Sequence, residues 1–238
     1  MKQVTFILAI LMLLLGSCKK DYFKPPQNGK YKPDVRPERF TNSTHITNPW
    51  TPYEPGKKYI FEGKSEEGQE RIIEQRLNTT KKILNITCVI VDFKAYVDGK
   101  LAEQASDWYA QDNDGTLWYF GEKVNNYNED GTLKDHEGSW EAGVDGAQPG
   151  IIMLAKPKKG ISYLEEYYLN HAEDEAEVLE TGITVTTPLG TFNDCIKTKN
   201  FTRLEPDIIE YKYYAPGYGV IKEMNQTEKE EIFLKAIE

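Results

Sequence analysis

The chain has 238 residues, 29 of them basic and 38 acidic, and a formal charge of −9. That balance excludes the clustered Lys and Arg on which nucleic-acid binding depends, and it suits an exported, self-repelling body. Hydrophobic content is modest at 39%, yet 15 Tyr, 9 Phe and 4 Trp supply the bulk for a core.

Lys2 gives a short positive start, and residues 4–15 follow as an uncharged, apolar run. Its length suits the apolar region of a signal peptide and falls short of the roughly 20 residues a spanning helix needs. The run ends in Leu15-Gly16-Ser17-Cys18, which resembles the lipobox of bacterial lipoproteins. The resemblance implies removal of residues 1–17 as a signal peptide, diacylation of the Cys18 thiol and acylation of the new amino group. Two or more acyl chains anchor stably where one is marginal. The expected location is therefore the cell envelope, on the outer membrane, with the bilayer itself as a partner through Cys18.

Residues 18–51 are polar, hold Pro25, Pro26, Pro33, Pro37 and Pro49, and have few aliphatic side chains. Such text cannot bury enough surface to offset its ordering entropy, so it reads as a flexible tether. From residue 52 onward, strand signals recur between turn signals. Residues 58–62 form a short strand, and 71–97 divide into two strands rich in β-branched and aromatic residues. Asp98-Gly99 is a hairpin pair that favours positive φ. Residues 108–110 and 117–120 flank the tight turn Asp112-Asn113-Asp114-Gly115, and the turn text NDGTL recurs as EDGTL at 129–133. Residues 138–150 contain four glycines and a proline, which makes a loop with Trp140 as a buried plug. Further strands are expected at 151–154, 163–168, 183–186, 192–199 and 208–215. A final hairpin joins 219–224 to 231–237, although Ile232, Phe233, Ala236 and Ile237 also mark one helical face.

Repeated strands with tight turns and no long helical period predict a mainly β fold. The expected architecture is an antiparallel sandwich or a strongly curved sheet approaching a barrel, with little helix, in one domain over 52–238. Cys88 and Cys195 both sit in strand-like text, where an exported compartment permits one disulfide between them. Two buried free thiols are the alternative.

The phrases DWYAQDNDGTLWYFGE (107–122), GSWEAGVDGAQPGIIM (138–153), TPLGTF (187–192) and KYYAPGYGVIKE (212–223) resemble a group of uncharacterised bacterial exported lipoproteins. The resemblance implies one exported domain and brings no catalytic residue with it.

The chemistry-bearing candidates are few. Asp112, Asp114 and Glu122 could form an irregular calcium site, but an EF-type loop fails because Ala110 and Gly121 fall at its first and last ligand positions. His171 and His136 each lie beside acids without a second ligand at fixed spacing. Ser139 lacks the flanking glycines of a nucleophile elbow, since Glu137 and Glu141 occupy those places. No cofactor signature is present in the text. Trp108, Trp118, Tyr119 and Trp140 carry the remaining interest: neighbours in a strand point to opposite faces, so one set fills a core while the other is covered or forms an aromatic ligand platform. The leading expectation is a non-catalytic envelope lipoprotein that binds a small molecule, a glycan or a protein partner. An envelope hydrolase and a structural component of an outer-membrane assembly are the alternatives.

Overall fold

The computed structural model describes residues 31–225 and 229–238. The signal peptide and Cys18 lie outside the described residues. Fourteen strands form one antiparallel sheet: β1 (Lys58–Lys64), β2 (Gln69–Ile83), β3 (Ile86–Val97), β4 (Lys100–Gln111), β5 (Leu117–Tyr127), β6 (Leu133–Asp135), β7 (Trp140–Glu141), β8 (Gly150–Met153), β9 (Ser162–Leu164), β10 (Asp174–Thr187), β11 (Gly190–Thr202), β12 (Ile209–Ala215), β13 (Gly219–Asn225) and β14 (Glu230–Ile237). The helical content of the described residues is a single 3-10 turn at Pro37–Arg39. A mainly β, strongly curved sheet is what the strand and turn signals predict.

Short loops make almost every strand pair with its sequence neighbour. The β2–β3 turn is the pair Leu84-Asn85, with φ of 48° and 64°, and the β3–β4 turn is Asp98-Gly99, with φ of 49° and 78°. Both have the positive φ that a two-residue hairpin needs. The sequence marks the second plainly and the first hardly at all, because a leucine stands where Asn, Asp or Gly is usual. The C-terminal segment is a strand: β14 pairs with β13 and also with β1, joining the two halves of the sheet.

The path runs β6-β5-β4-β3-β2-β1-β14-β13-β12-β11-β10-β9, with β7 and β8 added on β5. Its two ends come together. Gln148, just before β8, bridges Tyr167, just after β9, and its amide donates to the Tyr167 carbonyl at 2.8 Å. A Cβ on Gly150 would stand 1.9 Å from the Glu165 carbonyl oxygen, so only glycine allows this approach. The seam has no continuous ladder, and the sheet curls toward a barrel without closing.

Three expectations are corrected by what lies against the outside of β3–β5. First, the tether does not extend to residue 51. Phe40 is 6% exposed and packs edge-on against Trp118 and Phe120, at centroid distances of 6.3 and 5.8 Å. The Gln111 side chain accepts from the amides of Thr47 and Asn48 at 2.8 and 2.9 Å, and Ser43 Oγ donates to the Thr87 carbonyl at 2.6 Å. Composition misleads here because the segment builds no core of its own; it docks on one that already exists. Second, the aromatic platform is absent: Trp108, Trp118, Tyr119 and Trp140 are between 4% and 6% exposed. On the outer face, Trp118 lies under Phe40 of the docked segment, and Trp108 lies under the Lys81 ammonium, 3.2 Å from its ring centroid. Third, Cys88 and Cys195 are both buried free thiols, Cys88 in the cluster around Trp108 and Phe120, Cys195 in a separate one with Ile221 and Leu234. They serve as small apolar side chains in different parts of the core.

Candidate functional site

Alternation along the strands sends a different set of side chains inward. On β4, Glu103, Ala105, Asp107 and Tyr109 share the concave face while Trp108 and Ala110 point out; on β2, Ile72, Glu74 and Arg76 do the same. Together with inward residues of β12 and β13 they enclose a lumen of about 530 Å³. Its wall is strongly acidic, with ten carboxyl residues against two bases, Arg76 and Lys212.

The two bases already have partners. Arg76 pairs with Glu74 at 2.5 Å and lies over the Tyr59 ring, 4.2 Å from its centroid. Lys212 sits among Glu223, Glu210 and Glu165; burial pulls its pKa down, but these carboxylates more than offset that and hold the ammonium well above its usual range. Glu165 and Glu223 are pushed up to about 7 by burial, against the pull of Lys212. Asn200 Nδ2 donates to Glu165 at 2.7 Å.

The opposite wall has acids without bases. Among the described residues, Glu103, Asp107, Glu122 and Glu166 form no ion pair. Burial, with Glu74 close by, pushes Asp107 up to about 8, although Tyr119 donates to it at 3.1 Å. Glu122 is pushed up to about 10 by burial and then by Glu166 and Asp107. Burial followed by Asp174 and Glu165 raises Glu166 well above the carboxylate range. Glu122 and Glu166 keep some accessible surface although they lie deep in the body, as groups lining an internal space do. Trp140 stands opposite Glu122 in the β5–β7 ladder, 4% exposed, and its indole N–H donates toward Glu166, which partly offsets the upward shift of that acid. Trp50 and Thr51 belong to the lumen wall, and the Trp50 N–H and Thr51 Oγ are buried without a hydrogen-bond partner. Tyr109 and Tyr119 stack at 4.8 Å beside these acids.

The metal candidates do not converge. Asp112 Oδ1 accepts from the amides of Asp114 and Thr116, and its Oδ2 takes the Trp118 indole N–H at 3.0 Å. Arg39 from the docked segment bridges Asp112 and Asp114 at 3.0 and 3.1 Å, in the place where a cation would be needed. Glu122 points into the lumen instead. No group of three or more His, Cys, Asp or Glu side chains among the described residues could hold a metal ion. His136 Nδ1 and Ser139 Oγ both spend their hydrogen bonds on the backbone of Val124, at 2.9 and 2.8 Å, and His171 stacks on Tyr168.

The lumen acids are what sequence reading missed. The signal exists in β4, where Glu103, Ala105, Asp107 and Tyr109 alternate in step with the pleat. It becomes legible only once the concave side of the sheet is known.

No protein-family model and no curated protein matches this chain. Among solved structures, a candidate exported protein with YmcC-like fold from Bacteroides fragilis NCTC 9343 is similar, with a TM-score of 0.41 and 15% identity over 79% of this chain and 98% of that one. A candidate lipoprotein from Parabacteroides distasonis ATCC 8503 aligns with a TM-score of 0.43 and 14% identity, again over 79% and 98%. A likeness of this degree fixes neither activity nor ligand.

Proposed function

We propose that this chain is an envelope lipoprotein, anchored in the outer membrane through Cys18, whose curled sheet receives a small ligand in its lumen without transforming it. The lipobox text supports the anchor. Among the described residues, no helix is long and apolar enough to cross a membrane. Replacing Cys18 by Ala is expected to move the protein from the membrane to the soluble fraction; retention in the membrane would contradict the anchor.

One observation carries the ligand reading: the lumen, about 530 Å³, is the size of a small-molecule site and is walled by ten carboxyl residues against two bases. Ala105, 2% exposed, lies on the lumen wall, so Ala105→Trp fills the space from inside. The variant is expected to keep the β circular-dichroism spectrum and to lose small-molecule binding. Equal binding by the folded variant would sink the reading.

A second reading has its own support. Asp107 and Glu122 hold protons at neutral pH, as a general acid must, and a glycosidase sets such an acid across from an ionised carboxylate. Product release from a glycan, abolished by Asp107→Asn and by Glu122→Gln, would establish hydrolysis over simple binding.

A further inference from the structure

We propose that the end of the sheet at which β1 begins rests on an anionic bilayer surface, with Leu189 and Tyr218 at the headgroup boundary and Lys82, Lys156, Lys158 and Lys159 facing lipid phosphate. This rests on the reading of Cys18 as a membrane anchor and is independent of the lumen.

In an antiparallel meander successive turns fall at alternate ends. The pairings Lys58↔Gln75, Ile83↔Ile86, Gln111↔Leu117, Thr187↔Gly190 and Ala215↔Gly219 put the β2–β3, β4–β5, β10–β11 and β12–β13 turns at the end where β1 begins. The β8–β9 loop starts there too, because Met153 pairs with Leu117. The β1–β2, β3–β4, β5–β6, β11–β12 and β13–β14 turns lie at the other end.

The two ends differ in chemistry. At the first, three turns expose Leu84, Leu189 and Tyr218, by 43%, 43% and 41%. Tyr218 meets the Phe192 ring edge-on at 4.9 Å, and together with Leu189, Pro216 and Ile237 these rings line an apolar groove. Lys82, beside the β2–β3 turn, and Lys156, Lys158 and Lys159, in the β8–β9 loop, are exposed. The acids of the β4–β5 turn, Asp112 and Asp114, are both bridged by Arg39. Lys57 and Lys58, entering β1, offset Glu54 and Glu238. At the second end the turns expose Glu66, Glu67, Asp98, Glu129, Asp130 and Glu205, against Arg203 and Lys229, and Lys229 is already paired with Glu66. A chain of charge −9 thus keeps one end apolar and basic.

Single exposed apolar side chains are ordinary. Apolar tips flanked by lysines are a different matter, because they match the layers of a bilayer boundary. Leu enters the acyl edge, Tyr settles among headgroups, and Lys meets anionic phosphate. The acidic turns of the second end would be repelled by the same surface. The membrane is also close: the 12 residues between Cys18 and Tyr31 span at most about 43 Å. Tyr31 packs on Tyr167 at 5.1 Å beside the seam, and the 11-residue β5 runs about 37 Å from end to end. Either end is therefore within reach, and surface chemistry selects between them.

The test uses the full lipidated chain in vesicles of phosphatidylethanolamine with phosphatidylglycerol. Leu189→Cys and Leu133→Cys each receive an environment-sensitive fluorophore; Leu133 is 51% exposed at the second end. Cys88 and Cys195 are wholly buried, so the native chain is the unlabelled control. The dye at 189 is expected to shift to the blue and to be quenched by brominated lipid, while the dye at 133 keeps its emission in water. Lys156→Glu, Lys158→Glu and Lys159→Glu together should abolish the quenching at 189, as should vesicles of phosphatidylcholine alone. Quenching at 133 in place of 189 would overturn the proposal, as would quenching at 189 that ignores both the lysines and the lipid charge. A blue shift at 189 without quenching would assign the groove to a protein contact instead. Two water-exposed dyes on a chain that floats with the vesicles would overturn the docking and leave the anchor intact. A chain that does not float would remove the anchor as well.

Discussion

Raising the pH from 5.5 to 8.5 is expected to lower the thermal midpoint of this protein by several degrees. The cause lies in the lumen. In the unfolded chain its Asp and Glu side chains titrate near 4. In the folded chain Glu165 and Glu223 are pushed up to about 7, Asp107 to about 8 and Glu122 to about 10, in each case with burial as the largest cause. Between these limits the folded state holds protons that the unfolded state has released. Stability then falls with pH, because the slope follows the protons bound by the unfolded state minus those bound by the native one. The contribution is fully present below about pH 4 and is lost progressively as each folded pKa is passed. Lys212, whose pKa is raised, stays charged in both states through this window and leaves the slope unchanged. Glu122→Gln should flatten the slope and raise the midpoint at pH 8.5, since the amide is never ionised. Thermal unfolding followed by circular dichroism at five pH values checks both. A midpoint that rises or stays level from 5.5 to 8.5 would show that the lumen acids are solvated.

Replacing Phe40 by Ala is expected to destabilise the fold by about 3 kcal/mol, the low end for a buried Phe→Ala change. The residue is 6% exposed and covers Trp118 and Phe120, yet it belongs to a segment whose composition reads as tether. Its loss should also loosen the segment over β4–β5 and shift tryptophan emission to the red. Leu133→Ala serves as the control, because that side chain is 51% exposed and its loss should cost within about 0.5 kcal/mol. Urea unfolding of the two variants separates a docked segment from a loose one: equal midpoints would mean that residues 31–51 contribute nothing to the fold.

Much of the fold was legible because strand periodicity and turn chemistry are local. Asp98-Gly99 and the Asp112–Gly115 turn announce their hairpins, and β14 is readable as a strand from its match to β13. Legibility stopped where partners are distant in sequence. Arg39 meeting Asp112 and Asp114, or Gln111 fixing the amides of Thr47 and Asn48, leaves no mark on either segment alone. The aromatic platform failed for a similar reason: Trp118 is covered by Phe40 of the segment that reads as tether, and Trp108 by Lys81 of β2. Cys88 and Cys195 had compatible strand contexts but lie in different clusters, a matter of which strands adjoin across the curl. The site was harder still. Acidic residues are common in this chain, and only the curvature of the sheet tells which of them turn inward.

The most direct test of the lumen as a ligand site reads its own indoles. Two-dimensional ¹⁵N–¹H spectra of the labelled chain give one indole signal for each of the 4 Trp residues. On titration with a small molecule that the native chain binds, the signal of Trp50, in the lumen wall, is predicted to move and saturate. Those of Trp108 and of Trp118, which is hydrogen-bonded to Asp112 on the outer face, are predicted to stay in place. In Ala105→Trp the Trp50 signal should not respond. Movement confined to Trp108 and Trp118, or no movement of Trp50 at saturating ligand, would contradict a site inside the sheet.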